Sequence, residues 1–322
     1  MRVLIVGSSN PWRMEVATGN ALERAGHETL ILDDRRMKRA IGRRMTQHLV
    51  RARARRFRPD FIFLSKCLAL DLETVRRLVA DTPNAMWYHD PQWFRDTARP
   101  DIGHIAAVGR IATTFFVTGF DDEWRALGLN AKFLPAAGDA AITPVQPVAA
   151  YASDVAFIGT GYDESRAALL LRLAERHDVR VYGPAWDRWA EALRWNGLSV
   201  EGNEFAVVCS SAAATLGINP ARAAGGATYT SDRTWMVMLA GAFYLGQGTP
   251  GVTQFLQDGV HCAWYTDSDD CMAKLDLYLS DAPARERIRN AGEQFVRANH
   301  TYDQRIANLL SGEAWSAASI VG

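Results

Sequence analysis

A serine and an arginine at the start of an apolar segment are the clearest candidates for anion binding. Ser231 is a residue type that caps helix N-termini, Arg233 and Thr234 fall in the predicted first turn, and apolar residues follow as far as Gly241. The first turn of a helix leaves backbone N–H groups without partners, and its dipole favours negative charge. This segment is therefore a predicted binding site for a phosphate group.

A glycine-rich turn offers a second place for a phosphate. A short apolar strand runs into Gly159, Thr160 and Gly161, and Arg166 follows in the next predicted helix. Glycines let backbone amides approach a diphosphate, and an arginine supplies charge-assisted hydrogen bonds. Such turns are common in Rossmann-like domains, so this one indicates a nucleotide diphosphate only in combination with the helix start described above.

His89 and Asp90 leave another predicted strand side by side. A carboxylate at a strand end is suited to act as base toward an acceptor hydroxyl, and an imidazole is suited to hydrogen-bond a sugar. The alternative is that Asp90 caps the following turn while His89 is a satisfied core residue. Neighbouring residues of a strand point to opposite faces, so the two do not automatically form a pair.

The turn after the first strand is a further candidate, formed by Gly7, Ser8, Ser9 and Asn10. It lacks the GxGxxG spacing of dinucleotide-binding proteins, and an aspartate after the second strand is only a weak indication of ribose binding. The glycine is also explained by a tight turn alone. In a two-domain transferase this turn would line the acceptor side.

Alternating strands and helices must position these residues. Apolar segments predict strands at 1–7, 27–34, 60–66, 84–90, 113–118 and 131–134, and the pattern starts again at DVAFIG after a proline-containing stretch at 140–152. Near-continuous apolar strands are typical of parallel sheets covered by helices. We predict an α/β fold of two Rossmann-like doubly wound domains, 1–148 and 149–322, that face a central cleft. Ligands in such sheets bind beyond the carboxyl ends of the strands.

Length and composition agree with two globular domains. The chain has 322 residues, of which 48% are hydrophobic and 22% charged, and its apolar runs are too short to span a bilayer. The N-terminus lacks a signal-peptide pattern, and the four cysteines are scattered without a metal-binding spacing. These features predict a cytoplasmic protein with reduced thiols.

The net charge is zero, but its distribution is uneven. Eleven basic residues and no acidic residue lie between Arg35 and Arg58. One interpretation is a solvated face of an arginine-rich helix. The other is a surface for an anionic partner such as a membrane, a nucleic acid or a phosphorylated acceptor. A peripheral position at a membrane is compatible with the second interpretation.

Several segments of the chain resemble, in the same order, those of group-1 glycosyltransferases of the spore-coat-maturation (CgeB-like) branch. They include RPDFIFL, WYHDP, DVAFIGTGYDESR, VRVYGPAW, LGINPAR, DRTWMVMLAGAFYL and HTYDQR. The resemblance implies a GT-B fold whose C-terminal helix packs back across the domain junction. It also implies a nucleotide-diphosphate sugar donor such as a UDP-, GDP- or TDP-sugar, no cofactor, no catalytic metal, and transfer with retention. The acceptor is not identified.

The resemblance also implies roles for individual residues. Arg233 and Arg166 would contact the diphosphate, with Ser231 and Thr234 beside them at the helix start. Gly159, Thr160 and Gly161 would line the diphosphate pocket. Thr249, Pro250 and Gly251 would form the loop near the donor. Tyr182 and Gly183 would end a strand near the nucleotide base.

Met236 departs from the family pattern. The family usually has a glutamate at this position, whose carboxylate accepts hydrogen bonds from ribose hydroxyls, and a methionine cannot replace those bonds. Asp232 is a nearby carboxylate, but it lies more than a helical turn away. Two alternatives to a transferase therefore stay open: a catalytically silent relative that binds a nucleotide-sugar, and a sugar epimerase of GT-B fold.

Overall fold

Two compact α/β units make up the protein. The computed structural model describes residues 1–90, 101–161, 164–197, 199–219, 229, 231–249 and 251–317. Within this set the first unit comprises residues 1–139 and 302–317, and the second comprises residues from 140 to 301. Pro250 lies outside the described residues.

The first unit is built on a six-stranded parallel sheet with the order β2-β1-β3-β4-β5-β6. Its strands are β1 Arg2–Val6, β2 Glu28–Leu32, β3 Phe61–Leu64, β4 Asn84–Tyr88, β5 Thr114–Val117 and β6 Ala131–Phe133. Its helices are α1 Met14–Arg24, α2 Asp34–Phe57, α3 Leu72–Val79, α4 Asp101–Ile111, α5 Asp121–Ala126 and α11 Ile306–Ser311.

The second unit has a five-stranded parallel sheet with the order β11-β10-β9-β7-β8. Its strands are β7 Ser153–Ile158, β8 Val179–Tyr182, β9 Ala212–Gly217, β10 Tyr244–Gln247 and β11 Ala263–Tyr265. Its helices are α6 Glu164–Ala174, α7 Asn203–Ser211, α8 Asp232–Leu239, α9 Ser268–Ser280 and α10 Ala282–Asn299.

The sheets are buried as their sequences predict. All residues of β3, β4 and β5 are buried, and so are four of the five residues of β1. A parallel sheet with helices on both faces buries side chains of both orientations, which is why these strands read as continuous apolar runs. The prediction of two Rossmann-like α/β domains is confirmed.

Each sheet has one place where the strand order changes direction. In the first unit this point lies between β1 and β3, and in the second it lies between β7 and β9. The loops that leave the two strands at such a point run to opposite faces of the sheet, so a crevice opens at their carboxyl ends. The fold therefore singles out one crevice in each unit.

The segment between the two sheets packs with the second unit. Whereas the sequence analysis sets the boundary after residue 148, the structure divides the chain after Asp139. Arg297 of α10 donates hydrogen bonds to the carbonyls of Ala140 (3.1 Å) and Ile142 (2.9 Å), and the Pro144 ring lies against Gly241. These contacts hold the proline-containing stretch on the second unit.

The chain returns to the first unit at Tyr302. The backbone N–H of Tyr302 donates to the Gly138 carbonyl at 3.0 Å, and the Tyr302 ring contacts Trp87 with centroids 5.9 Å apart. Helix α11 then packs beside α1 and β4. Among the described residues, no helix combines the length and apolar character needed to cross a membrane.

Helix α10 contains a glycine at a position with no room for a side chain. A Cβ at buried Gly292 would collide with the His261 carbonyl and lie 2.8 Å from Met238 Cε. We expect Gly292→Ala to destabilise the protein by about 1–3 kcal/mol, because overpacking forces backbone or side-chain shifts. The change is measured as the shift of the urea-unfolding midpoint.

Gly103 in α4 is the matched control, because it is exposed and a Cβ there would meet no atom of the described residues within 4 Å. Gly103→Ala is expected to be neutral or to stabilise by about 0.5–1 kcal/mol. Equal shifts for the two variants would contradict the packing argument.

Candidate functional site

The side chain of Arg233 lies at the crevice of the second unit. Ser231 is the N-cap of α8 as predicted, and its Oγ accepts a hydrogen bond from the Arg233 N–H at 3.3 Å. The Arg233 guanidinium donates from Nη1 to the Ile158 carbonyl (2.6 Å) and from Nη2 to the Ile218 carbonyl (3.3 Å). It therefore bridges the carboxyl ends of β7 and β9, where the strand order changes direction.

Arg166 reaches the same place from α6. Its side chain is 5% exposed, and Nη1 donates to the Thr160 carbonyl at 3.2 Å. The guanidinium carbons of Arg166 and Arg233 lie 5.8 Å and 4.9 Å from the centroid of the Phe157 ring. The structure thus brings together the two arginines that the sequence analysis singles out, one deeply buried and one half-buried.

The glycines of this region are required by close packing between loops. A Cβ at Gly159 would overlap the Arg233 guanidinium, and one at Gly161 would overlap the Ala185 carbonyl. Gly183 has φ +121° and packs against the Gly159 carbonyl, which also accepts a hydrogen bond from Trp186 Nε1 at 2.8 Å. The loops after β7 and β8 are therefore locked together, and Gly159 leaves the space that the arginine occupies.

Arg233 retains the capacity to bind an anion. It forms no ion pair with any carboxylate in the described part of the chain, and its two side-chain hydrogen bonds end on neutral carbonyls. A guanidinium has five N–H donors, so three of those of Arg233 have no hydrogen-bond partner among the described residues. A half-buried guanidinium without an ion pair, next to a helix N-terminus, favours the approach of a phosphate.

Thr234 and Thr249 differ in their hydrogen bonding. Thr234 is buried, and its Oγ1 lies 3.0 Å from the Tyr244 hydroxyl, so its side chain is engaged with β10. Thr249 is 4% exposed, and its Oγ1 has no hydrogen-bond partner among the described residues. Gly251 is buried in the same loop. The Thr249 hydroxyl is therefore buried without a hydrogen-bond partner among the described residues, whereas the Thr234 hydroxyl has one.

Tyr182 is the last residue of β8 and is buried against the sheet. Burial raises the pKa of its hydroxyl, although nearby Arg180 acts in the opposite direction. Together with Gly183 it forms the side of the crevice that lies next to the Gly159 turn.

Met236 lies one turn beyond Arg233 on α8. Its side chain is partly exposed, unlike those of the flanking Trp235 and Val237, which are fully buried. Residues three apart on a helix are neighbours on its surface, so Met236 and Arg233 share one face. Asp232 is exposed in the first turn and accepts a hydrogen bond from the Arg233 N–H at 2.8 Å.

A groove that the sequence analysis does not identify begins at Thr249. It has a volume of about 770 Å³, and its walls include the Trp264, His261 and Phe295 rings and the Lys274 side chain. The His261 ring stacks on Phe295 with centroids 4.0 Å apart. These side chains come from three separate segments of the chain, namely 261–264, α9 and α10, so no local sequence pattern predicts the groove.

In the first unit, His89 and Asp90 follow β4 but do not form a pair. Asp90 makes an ion pair with Lys66 after β3, and no hydrogen bond joins its carboxylate to His89. The His89 ring contacts Trp87, with centroids 4.5 Å apart, and its Nε2 is buried without a hydrogen-bond partner in the described segments. Burial lowers the pKa of His89 to about 3, against a smaller opposing effect of Asp90. The imidazole is therefore neutral at pH 7.

A buried carboxylate that the sequence analysis does not identify lies in the crevice of the first unit. Glu15 of α1 is 7% exposed and accepts a hydrogen bond from Ser65 Oγ at 2.7 Å. A Cβ at Gly7 would lie 2.7 Å from Glu15 Cγ and 2.9 Å from Ser65 Cβ, so Gly7 is needed for this approach. Glu15 follows the turn by only a few residues, but its partner Ser65, directly after β3, is distant in sequence.

Internal hydrogen bonds hold the remaining residues of this turn. Ser9 donates from both its backbone N–H (2.9 Å) and its Oγ (3.1 Å) to Asp33, which lowers the pKa of that carboxyl against the effect of burial. Ser8 Oγ accepts from the Asn10 N–H at 3.2 Å. In the segments that the structure describes, no group of three or more His, Cys, Asp or Glu residues is arranged to hold a metal ion.

The low pKa of His89 has a consequence for stability. The unfolded chain binds a proton at this imidazole near pH 6.5, whereas the folded chain does so only near pH 3. Since the unfolded state binds more protons in this window, stability falls as the pH drops from about 6.5 towards 3. We expect His89→Gln to reduce the decrease in melting temperature between pH 7 and pH 5. If the melting temperatures of the variant and of the original protein fell by the same amount between pH 7 and pH 5, the result would contradict a buried neutral imidazole.

Comparisons with known proteins agree with this architecture. Residues 166–311 match the family model described as "Glycosyl transferase-like". No curated protein matches the chain in sequence. The structure is similar to that of HepE from Anabaena in complex with UDP-glucose, with a TM-score of 0.67, 12% identity, and coverage of 97% of this chain and 99% of that one.

Two further solved structures share the fold. Sucrose-phosphate synthase from Thermosynechococcus elongatus superimposes with a TM-score of 0.68 at 11% identity, over 96% of this chain and 98% of that one. An alpha-glucosyltransferase in complex with UDP and a 13-mer DNA gives a TM-score of 0.68 at 11% identity, with coverage of 97% and 99%. Residues 166–311 are therefore similar to the glycosyl transferase-like family, and the chain shares the GT-B fold of these solved structures, which supports the predicted relationship to group-1 glycosyltransferases.

Proposed function

We propose that the protein is a glycosyltransferase that takes a sugar from a nucleotide-diphosphate donor held by its second unit. One observation carries this proposal: Arg233 lies at the crevice between β7 and β9, and among the described residues three of its guanidinium N–H groups have no hydrogen-bond partner and no carboxylate forms an ion pair with it. The glycosyl transferase-like domain and the GT-B fold supply the class of reaction.

UDP-sugars are the donors we propose first. The solved structures of HepE contain UDP, UDP with glucose, or UDP-glucose, and the alpha-glucosyltransferase structure contains UDP. In this chain the base would lie near Tyr182 and Gly183, and the diphosphate near Arg233 and the α8 N-terminus. We propose that the Thr249 hydroxyl contacts the donor sugar or the phosphate, because its buried Oγ1 has no hydrogen-bond partner among the described residues.

The chemistry requires stabilisation of the departing diphosphate. When the glycosidic bond to the donor breaks, negative charge accumulates on the β-phosphate. A fixed guanidinium and a helix N-terminus stabilise that charge without reorganisation during the reaction. Arg233 is fixed because two carbonyls hold it, and Arg166 adds positive charge from beneath the Gly159 turn. We propose that this arrangement replaces a metal ion, and that transfer proceeds with retention as the CgeB-like resemblance implies.

The acceptor side is proposed for the first unit. Asp90 and His89 follow β4, and the turn formed by Gly7, Ser8, Ser9 and Asn10 follows β1, all at the carboxyl edge of one sheet. Because His89 is neutral, we propose that it hydrogen-bonds the acceptor instead of carrying a charge. Asp90 would exchange its bond with Lys66 for one with the acceptor hydroxyl.

Arg233→Ala tests the diphosphate contact. Removing charge-assisted hydrogen bonds worth about 1.5–3 kcal/mol is expected to weaken UDP binding by roughly 10- to 150-fold. Titration calorimetry with UDP and UMP measures the effect, and the loss should be larger for UDP, which carries the second phosphate. Arg233→Lys keeps the charge but loses the fork, so its affinity should be intermediate.

Arg287→Ala is the matched control, because Arg287 is exposed on α10 of the same unit. It should leave the affinity for UDP unchanged. Equal affinity of the Arg233→Ala variant and the control for UDP, in protein that melts normally, would remove the observation on which the proposal rests.

Met236→Glu tests the missing ribose contact. A carboxylate beside Arg233 would accept hydrogen bonds from ribose hydroxyls, so UDP affinity should rise by roughly tenfold or more. The 2′,3′-dideoxy analogue of UDP should show no gain, because it has no hydroxyl to donate. A loss of affinity for both ligands would indicate that the ribose does not lie against this face of α8.

Turnover separates the transferase from its two alternatives, of which the silent relative is motivated by Met236. Release of UDP from a UDP-sugar, unaffected by EDTA, supports a metal-independent transferase. Binding without turnover over the same panel of sugars indicates a silent relative, and conversion of the sugar without an acceptor indicates an epimerase.

A further inference from the structure

Helix α2 is kinked at a glycine, and the proposed transfer reaction does not involve this part of the helix. Gly42 has φ 76° and ψ 162° in the middle of the helix, so the chain changes direction there. All eight residues from 38 to 45 are exposed. We call this segment the elbow.

Both arms of the elbow are tied to one point of the first unit. Asp34 of the first arm accepts a hydrogen bond from the Ala69 N–H at 2.7 Å, and Gln47 of the second arm donates to the Ala69 carbonyl at 2.8 Å. Val50 and Ala54 then bury the second arm in the core. Because the arms are anchored side by side, the elbow is held as a fixed projection.

The chemistry of the elbow combines positive charge with exposed apolar side chains. Ile41 is 40% exposed and Met45 is 56% exposed. Four basic residues flank them: Lys38, Arg39, Arg43 and Arg44. Throughout the described residues, none of these four lies within 4.0 Å of a carboxylate.

We propose that the elbow docks the protein on an anionic lipid surface, with Ile41 and Met45 entering the headgroup region and the four basic side chains contacting lipid phosphates. Burial of apolar side chains and attraction to anionic lipids are the two contributions that bind amphipathic helices at membrane interfaces. Each Lys or Arg near such a surface adds to the attraction. This docking is independent of whether the protein transfers a sugar.

The apolar side chains favour a lipid surface over a nucleic acid. Contacts to a nucleic-acid backbone are ionic and gain nothing from burying isoleucine or methionine. Single strands are held by aromatic side chains that stack on bases, and the elbow contains none. The elbow therefore fits a bilayer interface, where basic side chains can contact the lipid phosphates while apolar side chains reach towards the hydrocarbon below them.

Vesicle binding by the full chain tests the proposal. We expect binding to phosphatidylcholine vesicles that contain phosphatidylglycerol and none to phosphatidylcholine alone. Replacing Lys38, Arg39, Arg43 and Arg44 together by glutamine should weaken binding at least about tenfold. Replacing Ile41 and Met45 by serine should weaken binding at every salt concentration, because that contribution is not ionic.

A matched control lies at the far end of the same helix. Replacing the exposed residues Arg53, Arg55, Arg56 and Arg58 by glutamine removes the same charge about 20 Å from the elbow, since a helix rises 1.5 Å per residue. That distance exceeds the Debye length of about 8 Å at physiological salt. This variant should therefore keep most of the vesicle binding. Normal melting temperatures of all variants confirm that they fold.

A fluorescent reporter shows whether the elbow enters the interface. The four native cysteines are buried, so Met45→Cys provides a single reactive thiol for an environment-sensitive dye. Its emission should shift to the blue with phosphatidylglycerol vesicles only. No binding to these vesicles at low salt, or equal losses from the elbow and control sets, would overturn the proposal. So would tighter binding to duplex DNA that is unaffected by the serine substitutions, because that result would assign the surface to nucleic acid.

Discussion

The bond between the Arg233 guanidinium and the Ile158 carbonyl determines how the crevice between β7 and β9 is built. It requires a glycine at position 159, because any side chain there would occupy the place of the guanidinium. It also fixes the start of α8 against the ends of β7 and β9. A cation held by neutral carbonyls keeps its charge and its direction, which is the property that a site for a departing diphosphate needs. Packing and chemistry are thus satisfied by the same residue.

The sequence predicts the elements of this site better than their contacts. Strand periodicity and the N-cap residue Ser231 place β7 and α8 correctly, because both depend on local patterns. The partners of Arg233 lie 75 and 15 residues away, so no local pattern reveals that the guanidinium bridges two strands. For the same reason the sequence does not reveal how Gly159, Gly161 and Gly183 are packed. Their pattern is typical of phosphate-binding turns, and in the structure their neighbours are other loops and an arginine.

Buried carboxylates of the first unit escape the sequence analysis for a related reason. Glu15 lies on a helix whose exposed positions are also charged, so its burial cannot be recognised without its partner Ser65, fifty residues later. Asp34 is a similar case, because its carboxylate is satisfied by the Ala69 N–H while burial raises its pKa. Buried acidic groups need hydrogen-bond donors, and those donors come from distant strands and loops.

The zero net charge of the chain conceals a strong separation of charge. All 36 acidic residues lie outside residues 35–58, while eleven of the 36 lysines and arginines lie within them. A uniformly neutral surface has no preferred orientation toward an anionic plane, whereas a neutral protein with one basic projection does, because that end is attracted and the remainder is weakly repelled. The anchoring of both arms of α2 at Ala69 turns this electrostatic preference into a geometric one, since the charged segment cannot fold back onto acidic parts of the unit. Because the positive charge is concentrated in the elbow and the elbow is rigidly supported, the protein would bind an anionic plane in one orientation.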